Sequence, residues 1–449
     1  MRILLTAYVF LPDFSGGTET LVQSVALALK RRGHEVIVVT GQPARDDHES
    51  IGHIVEYEVD SIRVMRFMHA GAFLGAQSIM RNEYDNPAFS MHFGRILDDF
   101  RPQVVHFHHV KQLSIKAIDA CVQRGIPAFL TATDFWYVCP MHALLLPDGK
   151  TCEGPVSQGA NCAKHLASLT QPRWLAGIVN YGVPTALIGM ALQALGRSSR
   201  EFSGRMGDAQ ALARRGGVIA ERFRLLRKVF VPTRHTQDVL ERNGIRGATF
   251  RVLPFGIKDH GYNKRIRQNS DGEIVLGFIG SLLPHKGLHV LLEAMSLLPA
   301  AGPIRVRIFG KSPNGETPYV TDLRTRARHD ERVSFCGTFD NEKLPQVLDE
   351  LDALVIPSLW HENMPLVSLS AQAAGCPIIA SDIGGLSDII AHGHNGLLFA
   401  PGSAGELART IRRLLSERDL LRDLSSAAVT PPSIEQYADE LELEYRQPG

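Results

Sequence analysis

Residues 357–388 read PSLWHENMPLVSLSAQAAGCPIIASDIGGLSD, and the four residues before them, ALVI, form an apolar run. That run has the length and composition of a strand buried on both faces. The loop after it carries Trp360, His361, Glu362, Asn363 and Met364. Pro365 opens a helix, because the N–H it lacks has no intrahelical partner at the first helical position. The N–H groups of Leu366 and Val367 then point, with the positive end of the helix dipole, at whatever sits over the loop. CPIIAS is a second short strand, followed by a Gly384-Gly385 turn and Asp388. An anion site with a carboxylate beside it suits a sugar phosphate or a nucleotide sugar.

The same design recurs upstream. EIVLGFIGSLLPHKGLHVLLEAMSLL (273–298) is a strand, a Gly280-Ser281 turn and a helix starting at Lys286-Gly287, and PIRVRIFGKS (303–312) is a strand ending at Gly310. At the N-terminus, Ile3 to Val9 is an apolar run that empties into LPDFSGGTET, where Gly16 and Gly17 precede a helix from Thr18 to Arg32. Strand, glycine-rich loop and helix open a doubly wound domain, with the ligand expected at the carboxyl end of the strand. HEVIVVTGQ, SIRVMRF, PQVVHFHH and IPAFLTAT continue the strands, KVFVPTRHTQDVLERNGI adds a strand and a helix capped by Thr233, and FRVLPFGI is the last strand of the first half. His106, His108 and His109 cluster at one strand end, but the third ligand and geometry of a metal site are missing.

These segments together resemble the retaining family 4 glycosyltransferases. The resemblance covers nearly the whole chain and is densest from Val355 to Asp388. It implies the GT-B arrangement: two doubly wound, Rossmann-like α/β domains facing across a cleft, with a C-terminal helix crossing back to the first. The implied boundaries are 1–256 for an acceptor-binding domain with an apolar and basic insertion around 166–228, 257–272 for a polar linker, 273–430 for the nucleotide-sugar domain and 431–449 for the terminal helix. The implied activity is transfer of a sugar from a UDP- or GDP-sugar to a hydroxyl of a glycan or lipid-linked acceptor, in polysaccharide or glycoconjugate synthesis, without a metal ion or other cofactor.

Residue by residue, the resemblance puts Glu362 on the donor sugar's hydroxyls and Lys286 on the departing phosphate. It gives Asp134, in TATDFWYVCP, acceptor binding or base assistance; the reading from the residues alone is a turn cap. The implied donor contacts are Gly16, Gly17, Gly280, Ser281, Lys286, Gly310, Glu362, Asn363, Met364, Pro365, Leu366, Val367 and Ser370. Three positions depart from the pattern: Thr133 stands where many members carry His, Ser281 where many carry Arg, and Ser370 where a second Glu grips the ribose. Two other classes stand beside transfer: a non-catalytic homologue that binds a sugar or a partner enzyme, and a nucleotide-sugar epimerase. A phosphorylase would show a cofactor lysine or further anion-binding residues, and none is found.

Composition adds bounds. The 449 residues exceed one usual domain, and 48 basic against 47 acidic residues leave a formal charge of +1, so no global bias toward nucleic acid exists. The N-terminus reads as a buried strand and not as a signal peptide, which makes the cytoplasm the expected compartment and its six cysteines mostly reduced. Cys139, Cys152, Cys162 and His165 could bind a structural zinc tetrahedrally, or pack as free thiols in a loop. From Trp174 to Gly196 no charged residue occurs, and the residues up to Arg234 are strongly basic. That pairing suits peripheral contact of 174–234 with an anionic membrane, on the inner face; a helical hairpin with a solvated basic face fits equally.

Overall fold

The computed structural model describes residues 1–44, 51–70, 79–146, 148–268, 273–313 and 315–447. The end of the expected linker, 269–272, and positions 448–449 of the expected terminal segment lie outside the described residues. The chain divides into two units: Met1–Pro147, Cys152–Leu253 and Ile434–Gly449 form the first, Asp148–Thr151 and Pro254–Ser433 the second.

The apolar runs become strands because helices cover both faces of each sheet, so every position must be dry. Ile3, Leu4, Leu5, Thr6 and Ala7 are all fully buried in β1 (Arg2–Ala7). The first sheet holds β1, β2 (Glu35–Pro43), β3 (Ile54–Val59), β4 (Ile62–His69), β5 (Val104–Phe107), β6 (Ala128–Thr131), β7 (Lys228–Val231) and β8 (Phe250–Val252) in the order β3-β4-β2-β1-β5-β6-β7-β8. All neighbours are parallel except β3 and β4. These two form a hairpin whose turn residues, Asp60 and Ser61, both have positive φ (50° and 61°). β3 is absent from the sequence reading: IVEYEV alternates with charged residues and lies half exposed, so it lacks the apolar run that marks the other strands.

The second sheet holds β9 (Ile274–Ile279), β10 (Ile304–Phe309), β11 (Val333–Gly337), β12 (Ala353–Ile356), β13 (Ile378–Ser381) and β14 (Gly396–Phe399), all parallel, in the order β11-β10-β9-β12-β13-β14. Strand order reverses between β9 and β12. In the first sheet it reverses between β1 and β5. Loops at the carboxyl ends of strands diverge at such points and leave a crevice for a ligand.

The helix Ile434–Arg446 belongs to the first unit. Arg32 bonds Asp439 at 2.7 Å, His34 Nε2 lies 3.1 Å from Glu442, Arg251 bonds Glu444 at 2.7 Å, and the Tyr445 hydroxyl meets His106 in the core. The expected polar linker is less loose than its composition implies. Arg267 is fully buried in the second unit, and its guanidinium donates to the carbonyls of Leu348 (2.9 Å), Leu351 (3.3 Å), Arg265 (2.7 Å) and Ala374. Leu348 and Ala374 sit at the ends of the helices Leu344–Asp349 and Leu366–Ala373, so one cation satisfies carbonyls that have no intrahelical donor.

Candidate functional site

In the second unit the loops at the strand reversal are laced together backbone to backbone. A Cβ on Gly287 would lie 1.8 Å from the Pro357 carbonyl oxygen, and one on Gly385 would lie 1.7 Å from that of Asn363. Both positions therefore accept only glycine. The Gly385 N–H donates to the Glu362 carbonyl at 2.7 Å and the Leu359 N–H to that of His285 at 2.8 Å. Gly280 and Gly310 meet the same way, with the Gly280 N–H on the Phe309 carbonyl at 3.0 Å and the Gly310 N–H on that of Gly337 at 2.7 Å. Ser281 is exposed beside them.

These contacts fix Glu362 and Lys286. Lys286 Nζ lies 2.7 Å from Glu362 Oε1, which also accepts from the Ser358 hydroxyl at 2.7 Å. Lys286 stands over the Trp360 ring at 4.7 Å from its centre, and the His285 ring packs on it at a tilt of 47°, 4.5 Å between centres. Glu362 is only 6% exposed. Burial pushes its carboxyl up, but the charge and hydrogen bond of Lys286, with Ser358, outweigh burial and hold it below its ordinary value. The two residues read separately from the sequence are thus one ion pair.

Pro365 is not the first helical residue: its ψ of 124° makes it the residue before the helix Leu366–Ala373. Its carbonyl accepts from the Ser368 N–H at 3.0 Å and from the Ser368 hydroxyl at 2.6 Å. Leu366 and Val367 then fill the first turn, where N–H groups have no intrahelical acceptor. Asn363 is buried against the Gly384-Gly385 turn, and the sulfur of Met364 faces inward, accepting from the Phe255 N–H at 3.4 Å. The Met364 side chain is therefore buried in packing. Ser370 is buried too, and the Tyr262 hydroxyl donates to its Oγ at 3.0 Å.

In the first unit Gly16 precedes the helix Gly17–Arg31 and Gly17 begins it. Glu19 in the first turn is buried, and its carboxylate folds back over Gly16. Burial raises its carboxyl above the ordinary value, against the amides of Glu19 and Gly16. At the end of β5, His109 Nε2 lies 3.1 Å from Asp134, which follows β6. His109 Nδ1 accepts the Lys111 N–H at 3.1 Å, so Nε2 carries the proton and donates it to Asp134. Asp134 also accepts from the Trp136 N–H at 2.8 Å. Burial pushes Asp134 up, but His109, His142 and this amide hold it well below the usual carboxylate range.

Asp134 is therefore more than a turn cap: it orients His109, and Tyr8, Glu19 and His109 join it at the carboxyl ends of β1, β5 and β6. Tyr8 and Glu19 do not stand out in the sequence, and His109 stands out there only as one of three clustered histidines. The pairing of His109 with Asp134 follows from the register His106↔Phe129 between β5 and β6, which sets the residues after the two strands side by side. His106 and His108 are core residues, fully buried, with burial holding both imidazoles below their ordinary value. Thr133 donates to the His108 carbonyl at 3.2 Å. Beneath the loop, buried Arg215 pairs with Glu83 at 3.2 Å, and Glu83 also accepts the Trp136 indole N–H.

Cys139, Cys152, Cys162 and His165 line one small cavity with Pro140, Met141, Leu145, Leu146, Asn161 and Leu166. Among the described residues, however, no three His, Cys, Asp or Glu side chains converge to hold a metal ion. The zinc expectation is corrected accordingly: the long spacings bring the four to one apolar lining without pointing them at one centre, and the thiols are free.

Two family models match the chain: Glycosyltransferase Family 4 over residues 15–151 and Glycosyl transferases group 1 over residues 262–430. Residues 152–261 lie outside both. D-inositol 3-phosphate glycosyltransferase of Nocardia farcinica is 29% identical over 279 residues, 58% of this chain and 58% of that protein. 2-Deoxystreptamine glucosyltransferase of Streptomyces kanamyceticus is 34% identical over 157 residues, 34% of this chain and 39% of that one. The chain thus spans little more than half the length of the first relative and less of the second. Among solved structures, sucrose-phosphate synthase of Thermosynechococcus elongatus superposes with a TM-score of 0.64 at 18% identity, covering 99% of this chain and 98% of that one. Anabaena HepE, in complex with UDP and glucose, gives 0.61 at 17% identity with coverage of 99% and 98%. With both family models placed on their respective sheets and the architecture shared along its whole length, the chain belongs to glycosyltransferase family 4, of the group 1 type, with the GT-B fold.

Proposed function

We propose that this protein moves a sugar from a nucleotide-sugar donor to a hydroxyl of a glycan or lipid-linked acceptor, with retention of anomeric configuration. The observation that carries the reading is the Lys286–Glu362 pair beside the first turn of the helix Leu366–Ala373. A donor diphosphate offers Lys286 a doubly anionic partner and the Leu366 and Val367 amides an acceptor. Glu362, released from the lysine, then accepts hydrogen bonds from the sugar's hydroxyls. As transfer proceeds, the bond from the anomeric carbon to the phosphate oxygen breaks, the bond to the acceptor oxygen forms, and the acceptor's proton passes to the leaving phosphate. Lys286 and the two amides meet the charge that develops there. UDP is the first base to test, because HepE shares the fold and was solved with UDP and glucose. The setting we assign is the cytoplasm, with a lipid-linked acceptor reached at the inner membrane face.

Two observations shape the details. Ser370, in the place of the ribose carboxylate, is already occupied by the Tyr262 hydroxyl, which favours nucleotide recognition through other groups or, as a second reading, a homologue that binds sugar without turning it over. The His109–Asp134 pair is assigned to the acceptor. Asp134→Asn keeps an acceptor for the His109 proton but removes the charge, and is expected to lower kcat/KM for acceptor about tenfold or more while leaving donor affinity unchanged. Equal loss of donor affinity would contradict that assignment.

The test of the function is release of nucleoside diphosphate from UDP-, GDP-, ADP- and dTDP-sugars, with the sugar products analysed. Slow hydrolysis to free sugar without acceptor, accelerated by a glycan or polyprenyl-linked acceptor, is expected. Epimerised nucleotide sugar without diphosphate release would overturn the reading, and binding without any release would select the non-catalytic one.

A further inference from the structure

We propose that residues 169–206 form a lipid-facing element that seats this chain on an anionic membrane surface. Soluble helices turn apolar residues inward; here two successive segments do the reverse. Along Arg173–Gly177 and Ile178–Gly182, Trp174 (69% exposed), Ile178 and Tyr181 (93% exposed) recur at i, i+4 and i+7 on one outward face. Along Thr185–Arg197, Leu187, Met190, Ala191 and Ala194 make an outward stripe at i, i+3, i+4 and i+7. Leu169 and Met206, on the flanking helices, are exposed as well.

The element is held firmly from within. Gly189 packs so closely on Ser157 that a Cβ there would lie 2.9 Å from the Ser157 carbonyl oxygen, Leu192 and Ala176 are buried, and Gly196 sits against Ala213. It also lies in the stretch 152–261 that neither family model reaches. No single helix among the described residues is long and apolar enough to cross a membrane, and the pair Arg173–Gly182 and Thr185–Arg197 is bent by 99°. That geometry suits lying in the interface, where the amphipathic rings of Trp174 and Tyr181 are at home.

Charge decides the occupant. The basic run narrows once its structural members are removed: Arg214 pairs with Glu201, Arg215 with Glu83, Arg222 with Asp119 and Lys228 with Glu444. Among the described residues, Arg173, Arg197, Arg200 and Arg205 are exposed and in no salt bridge, and they border the apolar faces. From Leu169 to Arg200 the sequence holds no Asp or Glu. The element's one carboxylate, Glu201, is already held by Arg81 at 3.2 Å and Arg214 at 2.7 Å, so a second copy pairing through this patch would set arginine against arginine with no free carboxylate to meet it. Anionic headgroups meet all four.

The test is flotation of the full-length protein with phosphatidylcholine vesicles, with and without phosphatidylglycerol, at low and high salt. Wild type is expected to float with the phosphatidylglycerol vesicles, less so at high salt. Trp174→Ser with Tyr181→Ser, and separately Arg197→Glu with Arg200→Glu, are expected to reduce binding about tenfold or more. Unchanged thermal unfolding shows that these exposed substitutions leave the fold intact. No binding by wild type, or undiminished binding by both variants, would overturn the proposal. So would a wild-type oligomer in light scattering that the variants turn into monomers without any vesicle binding. The readout needs no sugar or nucleotide, so it stands or falls apart from the transfer reaction.

Discussion

Replacing Lys286 with alanine is expected to lower kcat by about 10²–10³-fold, the loss seen when one fixed donor to a developing negative charge is removed. Lys286 is the cation that the described site offers beside the helix start: its Nζ reaches Glu362 at 2.7 Å, and the helix Leu366–Ala373 begins four residues beyond Glu362. Ser281, at the position where relatives often have arginine, supplies no second charge. The lysine also sets the state of Glu362. Without it, burial is opposed only by the hydrogen bonds of Trp360 and Ser358, so the carboxyl's pKa rises and its charged form is less favoured.

Glu362→Gln separates these effects, because glutamine keeps an acceptor for the Ser358 hydroxyl and leaves Lys286 to the phosphate. It should retain diphosphate binding and lose turnover. The same pair carries a pH signature in the absence of donor. Glu362 has a folded value below its ordinary 4.5, so its contribution to stability is complete above about 4.5 and is lost as the pH falls through the folded value. Thermal melts of wild type and Glu362→Gln should therefore converge on acidification below that range.

Arg267→Ala is expected to destabilise the second unit by roughly 3–5 kcal/mol, the cost of stripping a buried cation from partners that stay buried. The guanidinium is fully buried among four carbonyls, with Asp349 at 3.8 Å. Burial draws its pKa down from 12.5, yet five N–H donors with so many acceptors leave few unsatisfied. Its loss leaves the carbonyls at the ends of two helices with only the Leu351 and Arg265 amides as donors, and one of these is the helix whose start is the proposed anion site. For a unit of this size that corresponds to a fall of about 10 °C or more in its melting temperature, read by calorimetry. Arg267→Lys should recover only part, since one ammonium cannot reach four carbonyls spread around a planar fork. A shift under about 2 °C would contradict this account of the linker.

The fold was legible because both halves write their strands as unbroken apolar runs followed by glycine turns, as in ILLTA, IVLGFI and ALVI. The conformation of the loop around Glu362 was legible for the same reason: Gly287 and Gly385 occur where two backbones touch, and only glycine permits it. What the sequence hid depends on register and on long-range partners. His109 and Asp134 meet because β5 and β6 pair in parallel, Arg267 is buried because two helix ends converge on it, and IVEYEV is a strand only because β4 folds back beside it. The Met364 side chain likewise finds its partner far along the chain, in the Phe255 amide 109 residues away. For the cysteines the sequence left zinc and free thiols open, and the structure brings the ligand types to one cavity but not to one point.

The central claim is that Lys286 and Glu362 form the donor site, and calorimetric titration with UDP, GDP, ADP and dTDP sugars tests it most directly. Wild type should bind one nucleotide class, Lys286→Ala should lose that binding about tenfold or more, and Glu362→Gln should keep the diphosphate but weaken for the intact sugar donor. Folded wild-type protein that binds none of the four, or a Lys286→Ala variant that binds as wild type does, would contradict the account.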